Sequence, residues 1–265
     1  MSDVHGAADA LAGAGGADML ICLGDLLLFL DYADPGQGIY AELYGEDYTR
    51  QYIALRTAKR FAEARQLTQR LMAASAAGHA AGPATGTAPA SLRTSAEVII
   101  RRQYKEIFDA LPEPAYLTYG NVDVPEMWDR YLKPGHQVVD GGRVQVGPIT
   151  FGFAGAGLTS PYRTPNEISE AAFSAKLGAI AADGPIDVLC THIPPAVPEL
   201  LYDTVARRME TGSEALLEMI RRVRPRYAFF GHVHQPLARR VRVGRTECIN
   251  VGHFRATRVP FAVDL

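Results

Sequence analysis

Short apolar runs, each closed by a turn signal and a polar residue, recur along this chain. Residues 19–23 run into Gly24-Asp25 and residues 115–119 into Gly120-Asn121. Residues 186–190 lead to Thr191-His192, and residues 227–230 to Gly231-His232-Val233-His234. Apolar runs of four or five residues bounded by turn signals read as buried strands. In open α/β sheets, ligands bind beyond the carboxyl ends of such strands. The pattern therefore predicts one site that gathers Asp, Asn and His side chains from distant parts of the chain. Asp3-Val4-His5 supplies a fifth cluster of the same residue types. Together they predict a metal centre.

Between these runs the periodicity changes. Residues 7–14 are compatible with a helix stopped by Gly15-Gly16. Residues 49–74 read as a long charged helix, with Leu55, Ala58, Phe61, Ala62, Ala64 and Leu67 near helical spacing. Residues 76–91, His79 included, are rich in Ala, Gly, Pro, Thr and Ser and are expected to be mobile. A helix over 95–111 ends before Pro112 and Pro114. Residues 136–140, 143–146 and 149–153 are separated by glycine turns and predict a β-meander, with His136 structural at its start. Residues 166–182 predict a helix. Residues 211–224 predict another, with Thr211 and Glu214 as a capping box and Leu216, Leu217, Ile220 and Val223 as its apolar stripe. Strands are expected at 237–243, 246–251 and 259–263. Strands alternating with helices, then a β-rich second half, suggest an α/β fold of two sheets with helices outside.

Composition narrows the class without fixing the chemistry. With 265 residues, 48% of them apolar, and a net charge of −2, the chain reads as globular and long enough for a sizeable core. No run approaches the length of a membrane span. Cys22, Cys190 and Cys248 are odd in number and sit in apolar runs, so they read as reduced core residues of a cytoplasmic protein. Charge is uneven. Residues 1–206 hold 15 basic and 24 acidic residues, whereas residues 207–265 hold 12 arginines and five acids. That basic segment could draw an anionic substrate towards the GHVH motif, or could simply be a solvated helix and hairpin. It falls short of a nucleic-acid-binding balance, so nucleic acid enters only as a nucleotide-type substrate.

The ordered set Asp3-x-His5, Gly24-Asp25, Gly120-Asn121-x-Asp123, His192 and Gly231-His232-x-His234 resembles the calcineurin-like metallophosphoesterases. Any single piece is common by chance; five in family order are specific. The resemblance spans most of the chain apart from about residues 30–110, a helical and low-complexity insertion into what is expected to be a single domain. It implies a four-layer α-β-β-α sandwich of two mixed sheets and a centre of two divalent ions. Asp3, His5, Asp25 and His234 would hold one ion and Asp25, Asn121, His192 and His232 the other, making Asp25 the bridge. Asp25, Asn121 and His232 would act most directly in catalysis. Carboxylate, amide oxygen and imidazole without thiolate suit Mn²⁺, with Fe, Zn²⁺ or Ni²⁺ as alternatives. Two such ions, two carboxylates and a bridging hydroxide sum to about +1, a fitting host for an anionic phosphoester.

Two departures from the family sharpen the expectation. Many members read GNH[DE], in which the histidine protonates the leaving group; here Val122 stands in its place and can donate nothing. The branch lacking this histidine resembles small phosphodiesterases, so phosphodiesters are the expected substrates. Asp123 then either orients a metal-binding histidine or is a turn residue. The second departure is the apolar strand that members carry before D-x-H. Only Met1 and Ser2 precede Asp3, so the first strand looks truncated, and the natural chain is expected to begin about 5–10 residues earlier.

Further candidates are His253, after Asn250-Val251-Gly252, and Arg163, either of which could bind substrate phosphate. The competing functions are a phosphomonoesterase acting on a nucleotide or phosphoprotein, and a non-catalytic interaction scaffold of the kind found in the retromer subunit that resembles this family. Scaffolds tend to lose ligands, and here every position is filled.

Overall fold

The computed structural model describes residues 1–76 and 92–265. The chain forms two compact units, Met1–Leu26 with Ile107–Leu265, and Leu27–Glu106.

The first unit carries the sheets. β1 (Leu20–Cys22), β2 (Ala115–Leu117) and β3 (His136–Val138) make a three-stranded parallel sheet in that order. The second sheet adds β4 (Gly142–Val146) and β5 (Ile149–Ala154), which pair antiparallel. The short β6 (Gly157–Leu158) and β7 (Glu167–Ile168) pair with each other, before β8 (Val188–Thr191) joins the second sheet. A small pair, β9 (Tyr202–Asp203) and β10 (Arg208–Met209), precedes β11 (Tyr227–Phe230), β12 (Arg240–Val243) and β13 (Thr246–Asn250). The six strands run in the order β12-β13-β11-β8-β5-β4. The four central strands are parallel, and the two edges are antiparallel.

Alternation along the strands builds two cores. Phe151, Phe153, Val188, Cys190, Phe229 and Ile249 face Leu23, Val139 and the partly buried Ile21 and Tyr116, filling the space between the two sheets. Each large apolar side chain removed from water there contributes about 1.5–3 kcal/mol. The opposite face of the six-stranded sheet packs on two helices. Phe173, Leu177 and Ile180 come from one, and Leu216, Met219 and Ile220 from the other. All three cysteines are buried free thiols.

The second unit is helical among its described residues. It holds α1 (Ile39–Tyr44), α2 (Glu46–Thr57), α3 (Phe61–Ala76) and most of α4 (Leu92–Ala110). Tyr40, Tyr44, Leu67 and Leu71 form its small core, and Tyr40 stacks on Tyr52 with ring centroids 4.4 Å apart. The remaining helices, α5 (Glu170–Ala182), α6 (Pro198–Leu201), α7 (Glu214–Val223) and α8 (Phe254–Thr257), belong to the first unit.

Several expectations change. The continuous helix over 49–74 is two helices, broken where Lys59 takes a left-handed φ of 58°. The meander is divided between sheets, because β3 pairs with β2 while β4 pairs with β5. α5 starts at Glu170 rather than 166, with the Ser169 side chain accepting the Ala172 N–H. Ser213, not Thr211, caps α7, and its hydroxyl accepts the Leu216 N–H at 3.0 Å. Residues 259–263 form no strand; Val259 and Phe261 are exposed and find no partner strand. The segment 7–14 is a 3-10 helix, Ala8–Ala14. His136 is buried at the start of β3, where its Nδ1 accepts the Lys133 N–H at 3.2 Å. The low-complexity stretch, with His79, lies outside the described residues from 77 to 91.

Residues 1–3 run beside β1. The Met1 ammonium donates to Ile21 O at 2.7 Å, Leu23 N donates to Met1 O at 2.9 Å, and Asp3 N donates to Gly24 O at 3.0 Å.

Candidate metal centre

Parallel strands end on one edge of a sheet, so the residues just beyond β1, β2, β8, β11 and β13 are delivered to one place. There the loops interlock at close range. A Cβ on Gly120 would lie 2.0 Å from Asp25 Oδ1, and one on Gly231 would lie 2.4 Å from Asp3 Oδ2. Only glycine admits these approaches. Asp3, His5, Asp25 and His232 adopt left-handed φ values of 59°, 42°, 55° and 68°. Non-glycine residues rarely do so, and such strain concentrates at functional sites.

Seven of the sequence candidates meet here. Asp25 Oδ2 lies 3.5 Å from His192 Nε2 and 3.9 Å from His5 Nε2, between the two groups. Its other oxygen accepts the Val122 N–H at 2.9 Å. Asn121 Oδ1 sits 3.0 Å from His192 Nε2 and 2.9 Å from His232 Nδ1. Asp3 Oδ2 accepts the His232 N–H at 3.0 Å, while its Oδ1 is buried without a hydrogen-bond partner, 3.3 Å from His234 Nε2 and 3.7 Å from His5 Nε2. His5 Nε2 and His234 Nε2 are 3.2 Å apart.

The donor set fits a cation. His192 Nδ1 faces Leu23 O at 2.9 Å, and a carbonyl only accepts, so Nδ1 carries the proton. A neutral His192 therefore turns a lone pair at Nε2 towards Asn121 Oδ1. That amide oxygen is itself fixed in place, because Asn121 Nδ2 donates to Thr164 Oγ1 at 3.2 Å. With His192 neutral, carboxylate, amide and imidazole lone pairs converge, an arrangement that a proton or a metal ion relieves.

The ionisation of the cluster follows from this crowding. Burial alone would raise the Asp3 carboxyl, but the His234, His192 and His5 rings hold it well below the usual carboxylate range. Burial likewise opposes His192 and His5 at Asp25, and the rings win, so Asp25 is lowered. His192 is disfavoured as a cation by burial yet pulled up to about 9 by Asp25. Burial first and the His192 charge second push His232 down to about 4. Burial, then His234 and His5, take His253 down to about 3.

Asp123 has a role that neither of its sequence readings contains. Fully buried, it accepts the backbone N–H of Asp25 (2.8 Å), Leu26 (2.9 Å) and Gly120 (2.8 Å), tying the GD and GN loops together. Burial and then the Asp25 charge raise its carboxyl to about 7.

His253 joins the cluster from beyond β13, its ring stacked on His234 at 3.9 Å and 14°. Arg163 is exposed, with a φ of 52° and its N–H donating to Ser160 O at 3.3 Å, and directly precedes Thr164, whose hydroxyl accepts from Asn121 Nδ2.

Five residues outside the sequence candidates support the site. Glu167 Oε1 accepts from Thr164 Oγ1 at 2.8 Å and from Ser160 Oγ at 2.6 Å, which fixes the hydroxyl that turns Asn121. Asn166 Nδ2 donates to Gly120 O at 2.9 Å. Asn250 Nδ2 donates to Gly231 O and Val233 O, while its Oδ1 accepts the Gly252 N–H. Asn250 ends an apolar run as Asp25 and Asn121 do, so that signal was present; the polar stretch 164–167 carries none.

The basic segment is spread across the first unit. Arg221, Arg222, Arg224 and Arg226 are exposed just before β11, at the end of the strand away from the cluster. Arg240 and Arg242 pair with Glu247. Arg255 is closer to the cluster, its Nη1 donating to His5 O at 2.9 Å. A cavity of about 110 Å³ lined by Ile149, Val188, Tyr227 and Leu265 also lies at the amino ends of the strands, and holds none of these ligands.

Fold and site together define an α/β protein of two main sheets flanked by helices, with buried acidic and histidine side chains clustered in ways that could bind metal. Among solved structures the chain is similar to TT1561 of Thermus thermophilus, with a TM-score of 0.51 and 14% identity over 96% of this chain and 88% of that one. At that identity the likeness is one of fold. Neither protein-family profiles nor curated protein sequences give a match. No helix among the described residues is long and apolar enough to cross a membrane.

Proposed function

We propose that the chain is a dimetal-dependent phosphoesterase that hydrolyses phosphodiesters. The observation that carries this reading is a convergence of potential ligand atoms: Asp25 Oδ2 and Asn121 Oδ1 lie 3.5 Å and 3.0 Å from His192 Nε2. The fold likeness to TT1561 and the resemblance of the ordered motifs to calcineurin-like metallophosphoesterases support it. Asp3, His5, Asp25 and His234 are assigned to one ion, and Asp25, Asn121, His192 and His232 to the other, with Mn²⁺ the expected metal. Paired divalent ions supply an acidified water, polarise phosphoryl oxygens and offset charge in an in-line displacement.

The chain's own residues orient and exclude. Leu23 O holds the His192 tautomer, Thr164 turns the Asn121 oxygen inward, and Asp123 fixes the loops carrying Asp25 and Asn121. Val122 offers no proton to a departing alkoxide, which favours esters whose leaving group is stable unprotonated. Aryl phosphodiesters meet that condition. Arg163, exposed on its turn, is assigned to no step.

The test is hydrolysis of an aryl phosphodiester and its matching monoester, with Mn²⁺ added. Diester turnover that exceeds monoester turnover and disappears in Asp25→Ala is the expected result. Faster monoester turnover would move the assignment to a phosphomonoesterase. A wild type that binds metal and turns over neither substrate would favour the scaffold.

A further inference from the structure

His253 falls outside the seven-ligand assignment, yet it is built into the centre as firmly as the residues within it. A ring nitrogen from each of His5, His234 and His253 lies within 4.8 Å of the other two. His253 Nε2 is buried and has no hydrogen-bond partner. An imidazole nitrogen withdrawn from water without a partner is costly unless something else satisfies it. The ring is also held on both sides. Phe254 N donates to Ser2 O at 3.0 Å and Arg255 N to Asp3 O at 3.1 Å, fastening the turn to the Asp3-x-His5 segment. Asn250 fastens the same turn to the loop bearing His232 and His234 through Gly252 N, Gly231 O and Val233 O. The near-parallel stack on His234 lets the two rings present their edges in one direction.

We propose that His253 is a further ligand of the ion assigned to Asp3, His5 and His234, and that this end of the centre takes an ion that favours nitrogen. Three imidazoles with carboxylates suit Zn²⁺, Fe²⁺, Ni²⁺ or Co²⁺, whereas the Asn121 end offers an amide oxygen and two imidazoles. The two positions then differ in their preferred metal. The inference rests on the dimetal reading above.

The test uses the full chain, stripped with a chelator and titrated with Co²⁺, whose visible d–d absorption reports ligand number and type. Wild type is expected to bind two ions. His253→Ala and His253→Phe are each expected to weaken one binding event by roughly tenfold or more and to alter its spectrum. The second event should remain, and it should be the one lost in His192→Ala. His253→Phe keeps a ring against His234 but has no nitrogen, and thermal unfolding checks that both variants fold. If His253→Phe binds Co²⁺ as wild type does, whether or not His253→Ala is impaired, the role is packing and the proposal is overturned. If wild type takes up no Co²⁺, the dimetal reading itself fails and this inference fails with it.

Discussion

The two ends of the cluster are held in different ways. At the Asn121 end two side chains have their orientation assigned by a neighbour: Leu23 O fixes His192, Thr164 fixes Asn121, and the His192 side chain is 0% exposed. At the Asp3 end, Asp3 Oδ1 and His253 Nε2 lack hydrogen-bond partners, three imidazoles crowd together, and the His234 side chain is 38% exposed. The first end is preorganised by the protein. The second presents buried polar atoms that a cation could organise. Asp25 Oδ2, between His192 and His5, couples them.

Removing that coupling should have the largest effect. Asp25→Ala is expected to lower diester turnover by about 10³-fold or more, the equivalent of several kcal/mol of lost charge stabilisation. Equilibrium dialysis should show weaker uptake of both ions rather than one.

Asp123→Ala is expected to act through the scaffold. It strands three backbone N–H groups in the interior, at a cost on the order of 3 kcal/mol and a fall in Tm of roughly 6–12 °C. Asp123→Asn, which retains an accepting oxygen, should fall between. A thermal melt of Asp123→Ala that overlays wild type would show that Asp123 does not join the GD and GN loops.

A subtler change separates the two ends. Thr164→Val frees the Asn121 amide to flip and should weaken one ion by about 10–100-fold while sparing the other. Equal weakening of both ions in a Co²⁺ titration would contradict the division into a locked and an ion-dependent end. The smallest expected effect is at the amino ends of the strands: Arg226→Ala should leave turnover unchanged and stability within about 0.5 kcal/mol.

Asp25, Asn121, His192, His232 and His234 were legible because they sit just past apolar runs, where strand geometry leaves a side chain at the sheet edge; Asp3 and His5 follow no such run. The ligands' partners were not legible. Thr164, Asn166 and Glu167 lie in a polar turn with no periodicity, and their importance arises only because the turn folds back onto Gly120 and Asn121. Asp123 could be read either as orienting a histidine or as a turn residue, because sequence distance says nothing of which backbone groups a buried carboxylate will meet. Glycine turns marked where β3 and β4 are separated but not that the two strands enter different sheets. The apolar residues at 259–263 resembled a strand by composition alone, without a ladder partner to make one.

If the convergent lone pairs form a two-ion catalytic centre, activity must follow metal occupancy. The most direct measurement is aryl phosphodiester turnover of chelator-stripped protein as Mn²⁺ is restored, plotted against ions bound per chain. No turnover without metal, rising to a plateau at two ions, is the predicted result. Full turnover with none or one bound would contradict it.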